Sequence, residues 1–194
     1  MIEKLYENDL EDTILTQIKA IDQSITNKKY INCQFINCDF SQSDFSLSFF
    51  EDCLFKECNL SLLQFNNSKL RNITFENCKL LGINFNKIDS FIIVIFFKDS
   101  LIQNCNFSDL NLKKGLFQQC KIFESDFVNT NLSESNFTYS ILTGTKFIDS
   151  DLTKANFSFA KDYDINPLNN KTKKAIFTLP DVISLLKHFD IVIK

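Results

Sequence analysis

Ser125-Asp126-Phe127-Val128-Asn129, Thr130-Asn131-Leu132-Ser133-Glu134, Ser135-Asn136-Phe137-Thr138-Tyr139: written in fives, this stretch puts one bulky apolar residue at the centre of every unit. The same column extends back through Phe35, Phe40, Phe45, Phe50, Phe55, Leu60, Phe65, Leu70, Phe75, Leu80 and Phe85. The phase then slips by two. It resumes at Ile92, Phe97, Ile102, Phe107, Leu112, Phe117 and Ile122, and runs on through Leu142, Phe147 and Leu152 to Phe157. All 25 of these centres are Phe, Leu or Ile. A period of five is neither the 3.6 of a helix nor the 2 of a flat strand. It fits a square coil in which each unit makes one side and four units close one turn, a repeat within the range of solenoids. Successive turns then stack as strands about 4.8 Å apart. The fold class expected is an all-β solenoid.

The residue two before each centre is Cys, Ser, Thr, Ala or Gly in 20 of the 25 units. All seven cysteines obey this phase: Cys33, Cys38, Cys53, Cys58, Cys78, Cys105 and Cys120. A metal or redox site has no reason to follow a five-residue period. A small buried side chain has one, because free Cys packs as a small hydrophobe. The cysteines are therefore read as core, with no metal site and no cofactor. Asp or Asn often precedes the centre, as at Asp39, Asn59, Asn106, Asn131 and Asn156. Such side chains bond nearby backbone and stabilise turns, which explains frequent turning with only 3 Gly and 2 Pro.

With 194 residues, one domain is expected. A formal net charge of −3 excludes a strongly basic nucleic-acid binder, so no direct nucleic-acid binding is expected. The opening residues lack a basic stretch followed by an apolar run. The longest apolar run, Phe91 to Phe97, is too short to span a bilayer, which takes about 20 helical residues. A cytoplasmic protein without membrane contact is expected. The lone His188 has no second His and no paired catalytic group. No nucleophile–base pair, metal-ligand spacing or Gly-rich phosphate loop occurs, so the chain is not read as an enzyme.

Units such as Ser125-Asp126-Phe127-Val128-Asn129 and Ser150-Asp151-Leu152-Thr153-Lys154 resemble the A(D/N)LxX consensus of pentapeptide-repeat proteins. The resemblance implies a right-handed quadrilateral β-helix. The tail, Asp164-Ile165-Asn166-Pro167-Leu168 leading into Phe177-Thr178-Leu179-Pro180-Asp181, is similar to that of the gyrase-protecting members, the Qnr-type quinolone-resistance and microcin-immunity proteins. It implies a dimer joined at the C-terminal end. It also implies a DNA-mimicking surface that binds DNA gyrase or topoisomerase IV and counters a quinolone or peptide toxin.

Three segments follow: an N-terminal cap over 1–29, the repeat over 30–160 with a slip at 86–91, and a C-terminal cap and dimerisation segment over 161–194. Leu10, Ile14, Ile18 and Ile21 follow helical spacing, and a capping helix is expected near 9–22. In the tail, Pro180 and Asp181 suit the start of an α-helix. Leu185, Leu186 and Phe189 supply its apolar stripe, and 190–194 read as a short strand. These residues with Ile191 and Ile193 form the expected dimer interface; the alternative is a cap alone. After the slip, Phe91, Ile93, Val94 and Phe96 are expected to point outward and to meet either another part of the chain or a partner. For a mimic the acidic side chains matter, because backbone charge dominates DNA affinity. Candidates are Asp109, Glu124, Asp126, Glu134, Asp149 and Asp151. The alternative to topoisomerase binding is a generic interaction scaffold with another partner.

Overall fold

The computed structural model describes residues 2–189 and 191–192. The chain winds into a four-sided β-helix in which each strand pairs in parallel with the equivalent strand of the next turn. We number the sides by their centres. The first side carries Leu10, Tyr30, Phe50 and Leu70, then Leu112, Leu132 and Leu152. The second carries Leu15, Phe35, Phe55, Phe75, Phe97, Phe117, Phe137, Phe157 and Phe177. The third runs from Ala20 through Leu60 and Ile102 to Leu142, and the fourth from Ile25 through Phe65 and Phe107 to Ile165. On the second side the pairing is continuous from Ile14–Thr16 to Ile176–Phe177, through nine rungs and about eight turns.

The five-residue phase sets what lies inside. Centres and the residues two before them are buried, whereas the other three of each unit reach solvent to varying degrees. Stacked centres place like rings on like. Phe117 and Phe137 lie 4.7 Å apart and nearly parallel, as do Phe107 and Phe127 at 4.8 Å. Across the axis, Phe107 meets Phe117 edge to face at 5.9 Å. From Leu60 upward Phe alternates with Leu or Ile, so each turn holds two rings facing each other with aliphatic side chains between them. Burying each such ring contributes about 1.5–3 kcal/mol.

The small residues form a polar lining just inside the backbone. Ser140 Oγ donates to the Phe117 carbonyl, Ser150 Oγ to Phe127 and Thr145 Oγ1 to Ile122. The thiols do the same: Cys33 Sγ donates to Leu10 and Ile31, and Cys78 Sγ to Phe55 and Glu76. All seven cysteines are free and buried. At the corners, Asp39 Oδ1 accepts from the Ser41 N–H at 3.0 Å, and Asn156 Oδ1 from Ser158 at 2.9 Å. The turn role of the residue before the centre therefore holds.

A second corner device was not read from the sequence. The residue two after nearly every centre takes a left-handed conformation. Among the described residues this conformation occurs at 28 non-glycine positions and at Gly82 and Gly144. Side chains other than Gly enter this region at a cost, least for Asn and Asp. Those two types hold more than half of the non-glycine positions, including Asn32, Asp52, Asn72, Asp109 and Asn129. The enrichment was visible in the chain, but it needs the coil register to be recognised.

Three expectations are corrected. No helix occupies 9–22. Asp9–Glu11 and Ile14–Thr16 are strands paired to Lys29–Ile31 and Gln34–Ile36, so the four-sided register begins well before Tyr30. The turn above offers a ready edge of N–H and C=O groups, and pairing with it outweighs a helical apolar stripe with nothing to pack on. The cap there is a single 3-10 turn, Ile2–Tyr6, tied down by Tyr30 Oη donating to the Leu5 carbonyl at 2.7 Å. At the other end a helix is present over Asp181–Phe189, in 3-10 rather than α geometry. Ile191 and Val192 are not in a strand; the rest of the expected 190–194 strand lies outside the described residues.

The third correction concerns the slip. Phe75 pairs with Phe97 and Leu80 with Ile102, so this one turn is longer than the turn before it, where Phe55 pairs with Phe75. The excess is taken up after Phe85 by a 3-10 turn, Phe85–Lys87, and an irregular stretch before Ile95. Ile92 is not a centre; it is 46% exposed. Ile93, expected to face outward, packs instead against the core. The longer path leaves this side without a regular unit; Ile88 is buried in the core there and Ile93 packs against it partly buried.

Burial pushes the Cys105 thiol up to about 11 and the Cys120 thiol up to about 12, from an ordinary 9.0. A raised folded-state value favours the fold fully below pH 9.0 and progressively less as pH rises through the folded values. The urea midpoint should therefore fall as pH is raised from about 9 towards 11. Cys105→Ser/Cys120→Ser should flatten that decline, since Ser fills the equivalent position at Ser125 and Ser140. A decline unchanged in the double variant would contradict this account.

Candidate functional site

The six acidic candidates do not form one surface. Asp109, Glu124, Glu134 and Asp149 stand on left-handed corner positions and project into solvent. Asp126 and Asp151 lie on flat sides, immediately before Phe127 and Leu152, and are half-buried. Asp109 and Asp149 share the corner between the fourth and first sides, with Asn129 between them. Asn129 Nδ2 donates to Asp109 Oδ1 at 2.8 Å. Glu124 occupies the preceding corner, beside Gly144. Glu134 occupies the corner between the first and second sides.

Stacking also brings bases to some of these acids. Lys146 Nζ lies 3.3 Å from Asp126 Oδ1, Lys113 Nζ 3.2 Å from Glu134 Oε1, and Lys171 Nζ 4.0 Å from Asp151 Oδ2. Lys113 and Lys171 sit about one turn away in sequence, so a local charge count along the chain misses them. The Lys113 ammonium holds the Glu134 carboxyl below its usual range. At Asp151 burial opposes ionisation, but bonds from Thr153 and the nearby Lys171 and Lys113 outweigh it and lower its pKa. Among the described residues, Asp109, Glu124 and Asp149 have no ion-pair partner.

The apolar patch after the slip is smaller than expected. Phe91 is 86% exposed and Val94 39%, whereas Phe96 is half-buried on the second side between Thr74 and Leu116. No described segment of the chain covers Phe91.

At the C-terminal end, His188 Nε2 lies 2.9 Å from Asp164 Oδ1 and ties the last helix to the fourth side. Leu185 packs against the core, while Leu186, Phe189 and Ile191 remain exposed. A groove of about 850 Å³ runs between this helix and the last turn, lined by Asp162, Asp164, Asp181, Ile183, Leu186 and Ile191 among others. Ile193 lies outside the described residues. Among the described residues no group of three His, Cys, Asp or Glu is placed to hold a metal ion, and no helix is long and apolar enough to cross a membrane.

The sequence model of the pentapeptide repeat region matches residues 28–105, and that of the SV2A/B/C luminal domain matches residues 85–157. No curated protein sequence matches the chain. Among solved structures, full-length QnrB1, a plasmid-mediated fluoroquinolone resistance protein, superposes with a TM-score of 0.56 at 17% identity. The match covers 94% of this chain and 100% of that one. A trypsin-treated QnrB1 variant gives 0.51 at 21% identity, over 95% and 99%. HetL, a pentapeptide repeat protein involved in heterocyst differentiation regulation in the cyanobacterium Nostoc, gives 0.55 at 13% identity, over 90% and 89%. At these identities the likeness is one of fold.

Gly144 supports the Glu124 corner directly. Its φ is +69°, and a Cβ there would run into the Glu124 carboxylate. Gly144→Ala should lower stability by about 1–2 kcal/mol, the ordinary cost of a left-handed Ala. Adding Glu124→Ala should recover part of the loss. Chemical denaturation of the single and double variants reads both outcomes.

Proposed function

We propose that this chain, a pentapeptide-repeat β-helix, binds a type II topoisomerase, DNA gyrase or topoisomerase IV, as a non-enzymatic mimic of duplex DNA. By doing so it relieves poisoning by a quinolone or a peptide toxin. The observation that carries this reading is the set of corner carboxylates Asp109, Glu124 and Asp149, which have no ion-pair partner among the described residues. They project from a backbone bonded turn to turn, so their positions are preset, and little ordering cost remains on binding. The exposed Leu186, Phe189 and Ile191 support a second copy docking at the C-terminal end, which would double the rod's length. The rod shared with QnrB1 adds support by analogy of fold, which alone never settles function.

A second reading is favoured by one observation. Phe91 stands exposed beside Val94 where the coil is irregular, and such a patch suits a protein partner of another kind. HetL, with a similar rod, is involved in differentiation regulation.

A supercoiling assay with gyrase and a fluoroquinolone distinguishes the two. The protein should restore supercoiling at drug concentrations that otherwise block it. Asp109→Lys/Asp149→Lys, and removal of residues 179–194, should each abolish that rescue while the rod stays folded by circular dichroism. Absence of rescue at every protein concentration refutes the topoisomerase reading. Val94→Glu addresses the other surface: it should lower either the denaturation midpoint or the capture of a lysate partner. If neither changes, the patch has no role.

A further inference from the structure

The first side of the upper rod brings together residues that are scattered along the chain. Around the centres Leu112, Leu132 and Leu152, and the turn that follows, three outward columns run up the rod. They read Asn111, Asn131, Asp151, Lys171; Lys113, Ser133, Thr153, Lys173; and Lys114, Glu134, Lys154, Lys174. Six of these twelve positions are Lys, all exposed, against two acids. The columns are in register: the Lys114 N–H donates to the Ser133 carbonyl, Glu134 to Thr153, and Lys154 to Lys173. The lysines converge on the corner between the first and second sides. The Glu134 carboxyl is held down by Lys113 first, and by Lys114 and Lys154 as well. Asp109 and Asp149 lie on the other edge of this side and bound the basic strip.

The fold requires a left-handed residue at this corner but does not require lysine. Lower in the same column stand Asp12, Asn32, Asp52 and Asn72, the types that tolerate a left-handed backbone. They also bond one another, with Asn32 Nδ2 donating to Asp12 Oδ1 at 2.6 Å and Asn72 to Asp52 at 2.5 Å. Higher up, Lys114, Lys154 and Lys174 take the same conformation, with φ of +62°, +60° and +58°, and gain no such ladder. The column thus changes from mutually bonded Asn and Asp in the lower rod to lysines in the upper rod.

The composition indicates the partner. Protein interfaces favour aromatic residues and Arg and are depleted of Lys and Ser. Nucleic-acid backbones are contacted by Lys together with Ser, Thr and Asn side chains. None of the twelve positions is apolar. We propose that this lysine strip binds the phosphodiester backbone of duplex DNA without reading its sequence, on a surface separate from the Asp109/Asp149 corner. The net charge of the whole chain argues the other way, but it averages over faces that the coil keeps apart. The inference does not depend on topoisomerase binding and is tested without that enzyme.

The test is fluorescence anisotropy of a labelled duplex of about 20 base pairs, titrated with the full chain at about 50 and about 200 mM salt. With about four phosphates neutralised, affinity should fall about a hundredfold between the two. Lys114→Glu/Lys154→Glu/Lys174→Glu should weaken binding at least about tenfold, and Glu134 shows that Glu is accepted at this corner. Should that variant misfold, Lys113→Gln/Lys173→Gln lies off the strained position and should weaken binding in the same direction. Lys19→Glu/Lys79→Glu, on the third side, should leave binding unchanged. The proposal is overturned by no binding at the lower salt, by equal losses in the third-side variant, or by labelled polyglutamate binding as tightly as the duplex. That last result would assign the strip to an acidic protein.

Discussion

Every turn of this rod depends on backbone hydrogen bonds to the turns beside it. A residue's N–H or C=O finds its partner one turn away along the chain, in a parallel ladder. That constraint fixes the spacing between turns and superposes equivalent units. Rings must then stack on rings, small donors must sit beneath carbonyls, and each corner must bend in the same left-handed way. A side chain that suits one turn suits the next, which is why so few residue types recur at the centre. Among the described residues the turn between Phe75 and Phe97 is longer and the fourth-side step from Phe147 to Ile165 shorter, and in the longer one the inward column is broken and apolar side chains reach the surface.

The same superposition governs the outside. Three of the six acidic side chains acquire a lysine from a neighbouring turn, and three at the corners do not. Exposed pairs of this kind contribute little to stability, roughly 0–1 kcal/mol. Their effect here is on the pattern: they thin the acidic field on the flat sides and at the Glu134 corner, and leave it at the corners of Asp109, Asp149 and Glu124. On the corner between the first and second sides the sign reverses, and lysines accumulate. A nearly neutral chain thus carries surfaces of opposite character on one rigid body.

The thiols belong to the lining of the core. They occupy the same places as Ser and Thr, donate to the same carbonyls, and are buried as deeply. QnrB1, a fluoroquinolone resistance protein, and HetL, involved in heterocyst differentiation regulation, share this fold and differ in role.

The five-residue phase by itself determined the square coil, the inward pair of residues and the place of the cysteines. Each follows from a repeat in which every unit meets the same neighbours. The N-terminal turn was not legible, because Leu10, Ile14, Ile18 and Ile21 satisfy helical spacing too; the exposed edge of the turn above decided between them. The fate of Ile92 and Ile93 was likewise decided by the coil, since the added length could be absorbed in several ways. The candidate surfaces were legible least of all. Asp126, Glu134 and Asp151 read along the chain as candidate acids, and nothing in their spacing shows that Lys146, Lys113 and Lys171 lie against them. Charges interact through space, and only the closed turn says which of them are neighbours.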